Sequence, residues 1–249
     1  KQAVAELGLP IVLKTVTGGY DGKGQFVLRS EDQIDTAWAE LGPAKSLIAE
    51  SFVKFSREVS IIAVRGQNGD VKTWALAENH HHNGILSHSI VPAPNSTDLQ
   101  PVAQDYITRL LNHLNYVGVL TLELFVTEQG LYANEMACRV HNSGHWSIEG
   151  AICSQFENHI RAVAGLPLGS TDVVRPTVMI NIIGQHPKSE DVLALKGAHL
   201  HLYNKSERAG RKLGHITLMP NNSDELTMLC RQLAKILPVP LALTDDMNL

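Results

Sequence analysis

Residues 117–138 read VGVLTLELFVTEQGLYANEMAC, and the way this stretch divides decides the fold. Two apolar runs, 117–127 and 131–138, flank Glu128-Gln129-Gly130, a short connection with glycine at the left-handed position, which predicts a β-hairpin. Along the first run Leu120, Leu122 and Leu124 take one face and leave Thr121, Glu123 and Phe125 on the other. If Thr127 pairs with Leu131, Glu123 falls directly opposite Glu135. Like charges facing each other across a ladder destabilise it, and a cation between them removes the penalty. Two hard oxygen ligands favour Mg²⁺, usually held by one or two carboxylates plus substrate phosphates. A register slip that parts the pair, or protonation of one member, is the alternative.

A second string, Gly18-Gly19-Tyr20-Asp21-Gly22-Lys23-Gly24-Gln25, lies between two short strands, 11–15 and 25–28. Its glycines uncover backbone N–H groups that can approach an anion. Lys14 and Lys23 bring positive charge to the same place, so a polyphosphate is the natural guest. The string is not a Walker A loop, because Gly24 follows Lys23 where Ser or Thr is required. It also fails the dinucleotide fingerprint, with Val27 in place of the third glycine. An ordinary hairpin turn with a solvated lysine is the competing reading.

Around these strings, Val- and Ile-rich runs alternate with helical patterns, the mark of a mixed α and β chain. Ser30 and Gln33 form a capping-box pattern ahead of a helix that Gly42-Pro43 stops. Strands are expected at 57–65, 71–78 and 86–91, helices at 101–114 and 146–164. A terminal α+β unit follows, with strands at 178–183, 199–203 and 212–219 and a helix at 224–237. The Pro-, Gly- and Thr-containing stretch 167–176 is the expected boundary before it. The chain has 249 residues and a formal net charge of -4, so composition gives no nucleic-acid footprint. No apolar run reaches the length of a membrane span and no signal-peptide pattern opens the chain. Cys138, Cys153 and Cys230 are scattered and odd in number, which favours a reducing cytoplasm over a disulfide framework. Cys138 is expected to be a buried small hydrophobe, and Cys153 and Cys230 to be core residues on helices. Lys1 opens directly into an amphipathic stretch without Met, and a longer parent chain is expected.

The loop GGYDGKGQ, the strand end Ala49-Glu50-Ser51-Phe52-Val53 and Asn134-Glu135 resemble the ATP-grasp enzymes. The strings NEMACRVHNSGHWSIEG (134–150) and YNKSERAGRKLGHI (203–216) are more specific. Together they resemble the 5-(carboxyamino)imidazole ribonucleotide synthases of purine biosynthesis, without their N-terminal domain. The resemblance implies an α+β ATP-grasp fold, two α+β subdomains enclosing ATP, with a small C-terminal α+β domain. The glycine-loop (lid) subdomain would span 1–63, the catalytic sheet subdomain 64–170 and the last domain 171–249. It also implies an ATP-dependent ligase that joins bicarbonate to 5-aminoimidazole ribonucleotide through carboxyphosphate, acting as a cytoplasmic homodimer. Lys14 and Gly19, Tyr20, Asp21, Gly22, Lys23, Gly24 and Gln25 would hold the phosphates. Glu50, Ser51, Phe52 and Val53 would line the adenine hinge, Glu58 would bind the ribose, and His81 would contact the nucleotide. Asn134 and Glu135 would approach the phosphates, with Glu123 and Glu135 on Mg²⁺. Arg139, His141 and Asn142 would face bicarbonate or ribonucleotide, and Lys205, Arg211 and Lys212 the ribonucleotide phosphate. Arg139, His141, Asn142 and Lys23 are the catalytic candidates. Cys138 and Ala209 depart from the family pattern where Pro is common.

Elementary chemistry agrees with that activity. Bicarbonate is a poor electrophile, and phosphorylation supplies a leaving group, so the site needs charge compensation and positioning more than a nucleophile. His80-His81-His82 is not a metal triad, because successive strand residues alternate faces. His145 and Trp146 are either substrate contacts or the start of a helix. Glu58 could instead pair with Arg57 or Lys54, and the basic group Lys205, Arg208, Arg211 and Lys212 could be a solvated face. Another purine-pathway ATP-grasp ligase, or a nucleotide-binding fragment without turnover, are the alternative functions.

Overall fold

The computed structural model of the chain describes residues 1–18, 23–43 and 46–239. They fall into two compact units, Lys1–Lys54 with Asn83–Ile85, and Phe55–His82 with Leu86–Leu249. The first unit holds α1 (Gln2–Leu7), β1 (Ile11–Thr15), β2 (Gln25–Leu28), α2 (Ile34–Leu41) and β3 (Leu47–Ser51). Its strands form an antiparallel sheet in the order β2-β1-β3. Ile11, Leu28 and Ala37 are its buried core, and Phe26, Ile34 and Ala49 pack against them. Ser30 makes no side-chain cap, and Gln33 Oε1 accepts from the N–H of Arg29, one residue before the cap, so the expected capping box does not form.

The second unit continues with β4 (Arg57–Arg65), β5 (Val71–Thr73), β6 (Ala77–His82), β7 (Ile85–Val91), α3 (Leu99–His113), β8 (Gly118–Thr127) and β9 (Gly130–Ala137). Then come α4 (Ser147–Gly150), α5 (Gln155–Val163), β10 (Thr177–Ile183), α6 (Ser189–Leu193), β11 (Ala198–Leu202), β12 (Lys212–Leu218) and α7 (Ser223–Ile236). One nine-stranded sheet runs β11-β12-β10-β7-β6-β4-β8-β9, with β5 on β4. Alternation sorts its two faces. Val59, Ile61, Leu120, Leu122 and Leu124 meet Ala103, Ile107 and Leu111 of α3, and Ile180, Ile182 and Ile216 meet Leu226, Leu229 and Leu233 of α7. On the opposite face Ile62, Val119 and Met179 cluster with Trp146 and Ala162, from the segment that carries α4 and α5. That face also buries Ser60, Asn79, Thr121, Asn181, His215 and Thr217. Buried polar side chains need partners, and here they mark the side of the sheet where a site is built.

Three expectations are corrected. The helix expected at 146–164 is two, because Ala151 bridges to Val173 and Ser154 restarts the helix by accepting from the N–H of Glu157. The strand expected at 71–78 breaks after Thr73 and resumes as β6. Cys138 is exposed, and Cys153, although buried, lies in the gap between α4 and α5; only Cys230 is a buried helical cysteine. Residue 63 lies inside β4, and β10, beyond residue 171, pairs with β7 in the same sheet. Among the described residues no helix is long and apolar enough to cross a membrane.

Candidate active site

The hairpin of β8 and β9 brings Glu123 opposite Glu135, by a route other than the expected one. Thr127 pairs with Gly130 rather than Leu131, one residue out of the anticipated register, and Leu124 pairs with Ala133. A bulge then consumes Asn134, and beyond it Glu123 faces Glu135 and Leu122 faces Met136. On the other side of β8, Ser60 of β4 pairs with Glu123. The row Ser60, Glu123, Glu135 therefore lies on one face of the sheet. Burial raises the Glu123 carboxyl above its ordinary range, and Glu135 and Glu58 push the same way against the pull of His81. Glu58 Oε1 lies 3.3 Å from His81 Nδ1. Burial opposes protonation of His81, but Glu58, and then Glu123, outweigh it and raise its pKa.

Above this row lies the loop that follows β9. His141 Nε2 is 3.7 Å from Glu123 Oε1, and its Nδ1 is 2.9 Å from the hydroxyl of Ser143. Ser60 Oγ donates to Ser143 Oγ at 2.9 Å, leaving the Ser143 proton for His141 Nδ1. The ring is thereby held as the neutral tautomer with its proton on Nε2, toward Glu123. Burial, helped by the charges of Arg139 and Lys212, depresses the His141 pKa to about 4. Asn142 exchanges two hydrogen bonds with the side chain of Asn181, at 2.9 and 2.8 Å, which ties the loop to β10. Arg139 is exposed and donates to its neighbour's carbonyl, Val140 O, at 2.9 Å.

The basic residues come from the turn between β11 and β12. Lys205 Nζ lies 5.1 Å from the centre of the Tyr203 ring, whose hydroxyl shares a hydrogen bond with His215 Nδ1 at 2.6 Å. Arg211 donates to Ser206 Oγ at 2.9 Å. Lys212 starts β12 and acts electrostatically on both Glu123 and His141. His145 and Trp146 are interior: His145 Nδ1 is 2.9 Å from His141 O and packs edge-on against His215, and Trp146 is buried at the head of α4. The His80-His81-His82 run separates as strand alternation requires. His80 stacks on His88 and lies beside Glu78, while His81 turns to Glu58. Arg57 pairs with Glu78 at 2.8 Å, so it is not the partner of Glu58.

In the first unit Lys14 Nζ and Glu50 Oε2 form an ion pair at 2.6 Å, and Lys14 sits opposite Gln25 in the ladder. Gly24 takes a positive φ and its carbonyl accepts from the N–H of Thr15. Ser51 ends β3 opposite Ile11, and the guanidinium of Arg29 lies over the ring of Phe52, the residue before Val53. Lys23 is described and engaged; Gly19, Tyr20, Asp21 and Gly22 lie outside the described residues.

The donors on the sheet suit a hard divalent cation. A half-buried carboxyl with a raised pKa faces a second carboxylate, a deficit that positive charge relieves. Among the described residues no group of three or more His, Cys, Asp or Glu converges to hold a metal. Glu123 and Glu135 are two facing carboxylates, the number expected where phosphate and water complete the shell. Sequence reading missed Ser60, Ser143, Gln155, Asn181 and Tyr203. The signal for Ser60 and Asn181 was present: each breaks an otherwise apolar run of a Val/Ile strand.

Residues 1–156 match the family model of the ATP-grasp domain, and residues 177–228 that of the phosphoribosylaminoimidazole carboxylase C-terminal domain. The N5-carboxyaminoimidazole ribonucleotide synthase of Vibrio vulnificus is 49% identical over 242 residues, 95% of this chain and 64% of that protein. The crystal structure of N5-carboxyaminoimidazole ribonucleotide synthetase from Thermus thermophilus is 47% identical with a TM-score of 0.88, over 96% of this chain and 64% of that one. The Aspergillus clavatus N5-carboxyaminoimidazole synthase, solved in complex with ADP and 5-aminoimidazole ribonucleotide, is 31% identical with a TM-score of 0.84, over 94% and 64%. This chain therefore spans 64% of the length of each of these proteins. With residues 1–156 of 249 matched by its domain model, the chain belongs to the ATP-grasp family.

Proposed function

We propose that these residues serve an ATP-dependent carboxylation of 5-aminoimidazole ribonucleotide by bicarbonate, giving 5-(carboxyamino)imidazole ribonucleotide, ADP and phosphate. The observation that carries it is the Glu123–Glu135 pair below a neutral, tautomer-fixed His141. The names of the relatives support the same reading. In it, bicarbonate oxygen attacks the terminal phosphorus of ATP, and the bond to the ADP oxygen breaks. The exocyclic amine of the ribonucleotide then attacks the carboxyl carbon, phosphate departs, and the amine loses a proton. Lys14, Lys23, Gly24 and Gln25, with residues 19–22, serve the phosphates. Glu50, Ser51, Phe52 and Val53 serve the adenine, and Glu58 and His81 the rest of the nucleoside.

Mg²⁺ held by Glu123 and Glu135 would supply charge neutralisation at the phosphates, with Asn134 carried beside them by the bulge. His141 offers its Nε2–H as a hydrogen-bond donor to an anionic carboxyl group, and Arg139 adds positive charge near it. Asn142 acts through its amide. Lys205, Arg211 and Lys212 take the ribonucleotide phosphate. The reading includes a cytoplasmic homodimer.

The test uses a fusion in which these 249 residues replace the matching segment of the Vibrio vulnificus relative. Phosphate release that needs bicarbonate and the aminoimidazole ribonucleotide together supports the reading. Release that instead follows formate or glycine assigns a different ligase, and nucleotide binding without any acceptor-dependent release assigns a binding module.

A further inference from the structure

Gln155 opens α5 and is fully buried, 0% exposed. Its side-chain amide is spent on one residue: Oε1 accepts from the N–H of His141 at 2.9 Å, and Nε2 donates to the carbonyl of His141 at 2.7 Å. A pair of bonds to the N–H and C=O of the same residue copies what a neighbouring strand does, and it fixes both backbone torsions of residue 141 where no strand is present. The same Nε2 lies 3.2 Å from His145 Nδ1. The backbone N–H of Gln155 donates to Ser147 Oγ at 3.0 Å, and that hydroxyl donates to Gly144 O at 2.6 Å. Gly144 leaves the room this needs: a Cβ there would stand 2.6 Å from Gln155 Oε1 and would also run into Ile62 Cδ1.

We infer that Gln155 is the positioning residue for His141: it clamps the backbone of residue 141 so that the imidazole, pinned at Nδ1 by Ser143, presents Nε2 on the Glu123 side. This rests on the proposed carboxylation only for the consequence in turnover. The clamp itself is a property of the chain. An apolar side chain would fill the same interior position without desolvating an amide, so a buried Gln whose Oε1 and Nε2 both bond the backbone of residue 141 favours control of that residue's geometry over packing alone. Its loss leaves the N–H of residue 141 without its partner, while the carbonyl keeps the N–H of Gly144.

The first measurement needs no variant. Long-range ¹H–¹⁵N spectra of the 249-residue chain should show His141 as a single neutral Nε2–H tautomer near pH 7; tautomers in averaged exchange would overturn the clamp. The second uses Gln155→Met, which keeps length and removes the amide. In the fusion described above, the carboxylated product should fall about 10- to 100-fold, the cost of misplacing a group by about an ångström. The KM for ATP should stay within about twofold, and ribonucleotide-dependent phosphate release should exceed the carboxylated product formed, so that hydrolysis uncouples from carboxylation. Unchanged coupling in folded Gln155→Met, or all activities falling together with the folded fraction, would overturn the assignment. A wild-type fusion with no ribonucleotide-dependent release refutes the proposed reaction instead, and the spectra still decide the clamp. If Gln155→Met does not fold, the wild-type spectra decide it alone.

Discussion

Glu123 and Glu135 oppose each other across a ladder, and Glu135 makes the buried Glu123 harder to ionise. Removing one charge should relieve the empty hairpin while removing a cation ligand. Glu135→Gln is therefore expected to leave thermal stability without nucleotide equal or slightly raised. In the fusion it should greatly lower Mg²⁺-supported turnover, and a Mg²⁺ titration that is unchanged would remove the metal assignment. A second residue governs acid stability. His88 is completely buried beside His80, and burial, reinforced by the charge of His80, lowers its pKa from 6.5 to about 3. Between these values the unfolded chain binds a proton that the folded chain refuses. Stability attributable to His88 is thus whole above pH 6.5 and falls as the pH drops toward 3, by up to about 1.4 kcal/mol per pH unit. His88→Phe, which keeps an aromatic ring against His80, should move the acid-unfolding midpoint to lower pH, followed by circular dichroism. An unmoved midpoint would mean that other buried histidines, such as His215, set the acid limit. At this scale the sequence made the charged residues legible and hid the neutral ones. Glu123 and Glu135 stand out because like charges across a ladder are costly. Gln155, Ser143 and Tyr203 act through hydrogen bonds to groups far away in the chain, and no local pattern announces those.

Among elements, the hairpin of β8 and β9 shows how a correct pairing can rest on a compensating irregularity. Alternation along β8 was legible, since its leucines all meet α3. The register was not: the tighter turn shifts the pairing by one residue, and the bulge at Asn134 shifts it back. A bulge is one extra residue without a fixed sequence signature, so periodicity alone cannot find it. The break between α4 and α5 was hidden for a different reason. Residues 146–164 keep helical spacing, and the interruption comes from the bridge between Ala151 and Val173, a tertiary contact. Ser154 then caps α5 through the N–H of Glu157 at 3.1 Å. Ser154→Ala should cost about 1 kcal/mol, seen as a lower thermal midpoint. Since α5 begins at Gln155, the same change should loosen the residue 141 clamp and speed hydrogen exchange at the amide of His141. Exchange at His141 that stays as slow as in the parent chain would show that the cap and the clamp are independent.

For the molecule as a whole, the α+β class and nearly every strand were legible from Val/Ile runs and their flanking turns. The strand order was not: β10 joins β7 from across the Pro- and Thr-containing stretch before it. The polar row along the sheet, from His201 and His215 through Asn181 to Ser60, Glu123 and Glu135, exists only once the strand order β11-β12-β10-β7-β6-β4-β8-β9 is assembled. The proposed carboxylation is tested most directly by following bicarbonate carbon. With ¹⁴C-bicarbonate, ATP, Mg²⁺ and 5-aminoimidazole ribonucleotide, the fusion should place label in an acid-labile product, one label for each ADP formed. Leaving out the ribonucleotide should abolish the labelled product. ADP formed with no label in the ribonucleotide, or label incorporated without ATP, would contradict the account.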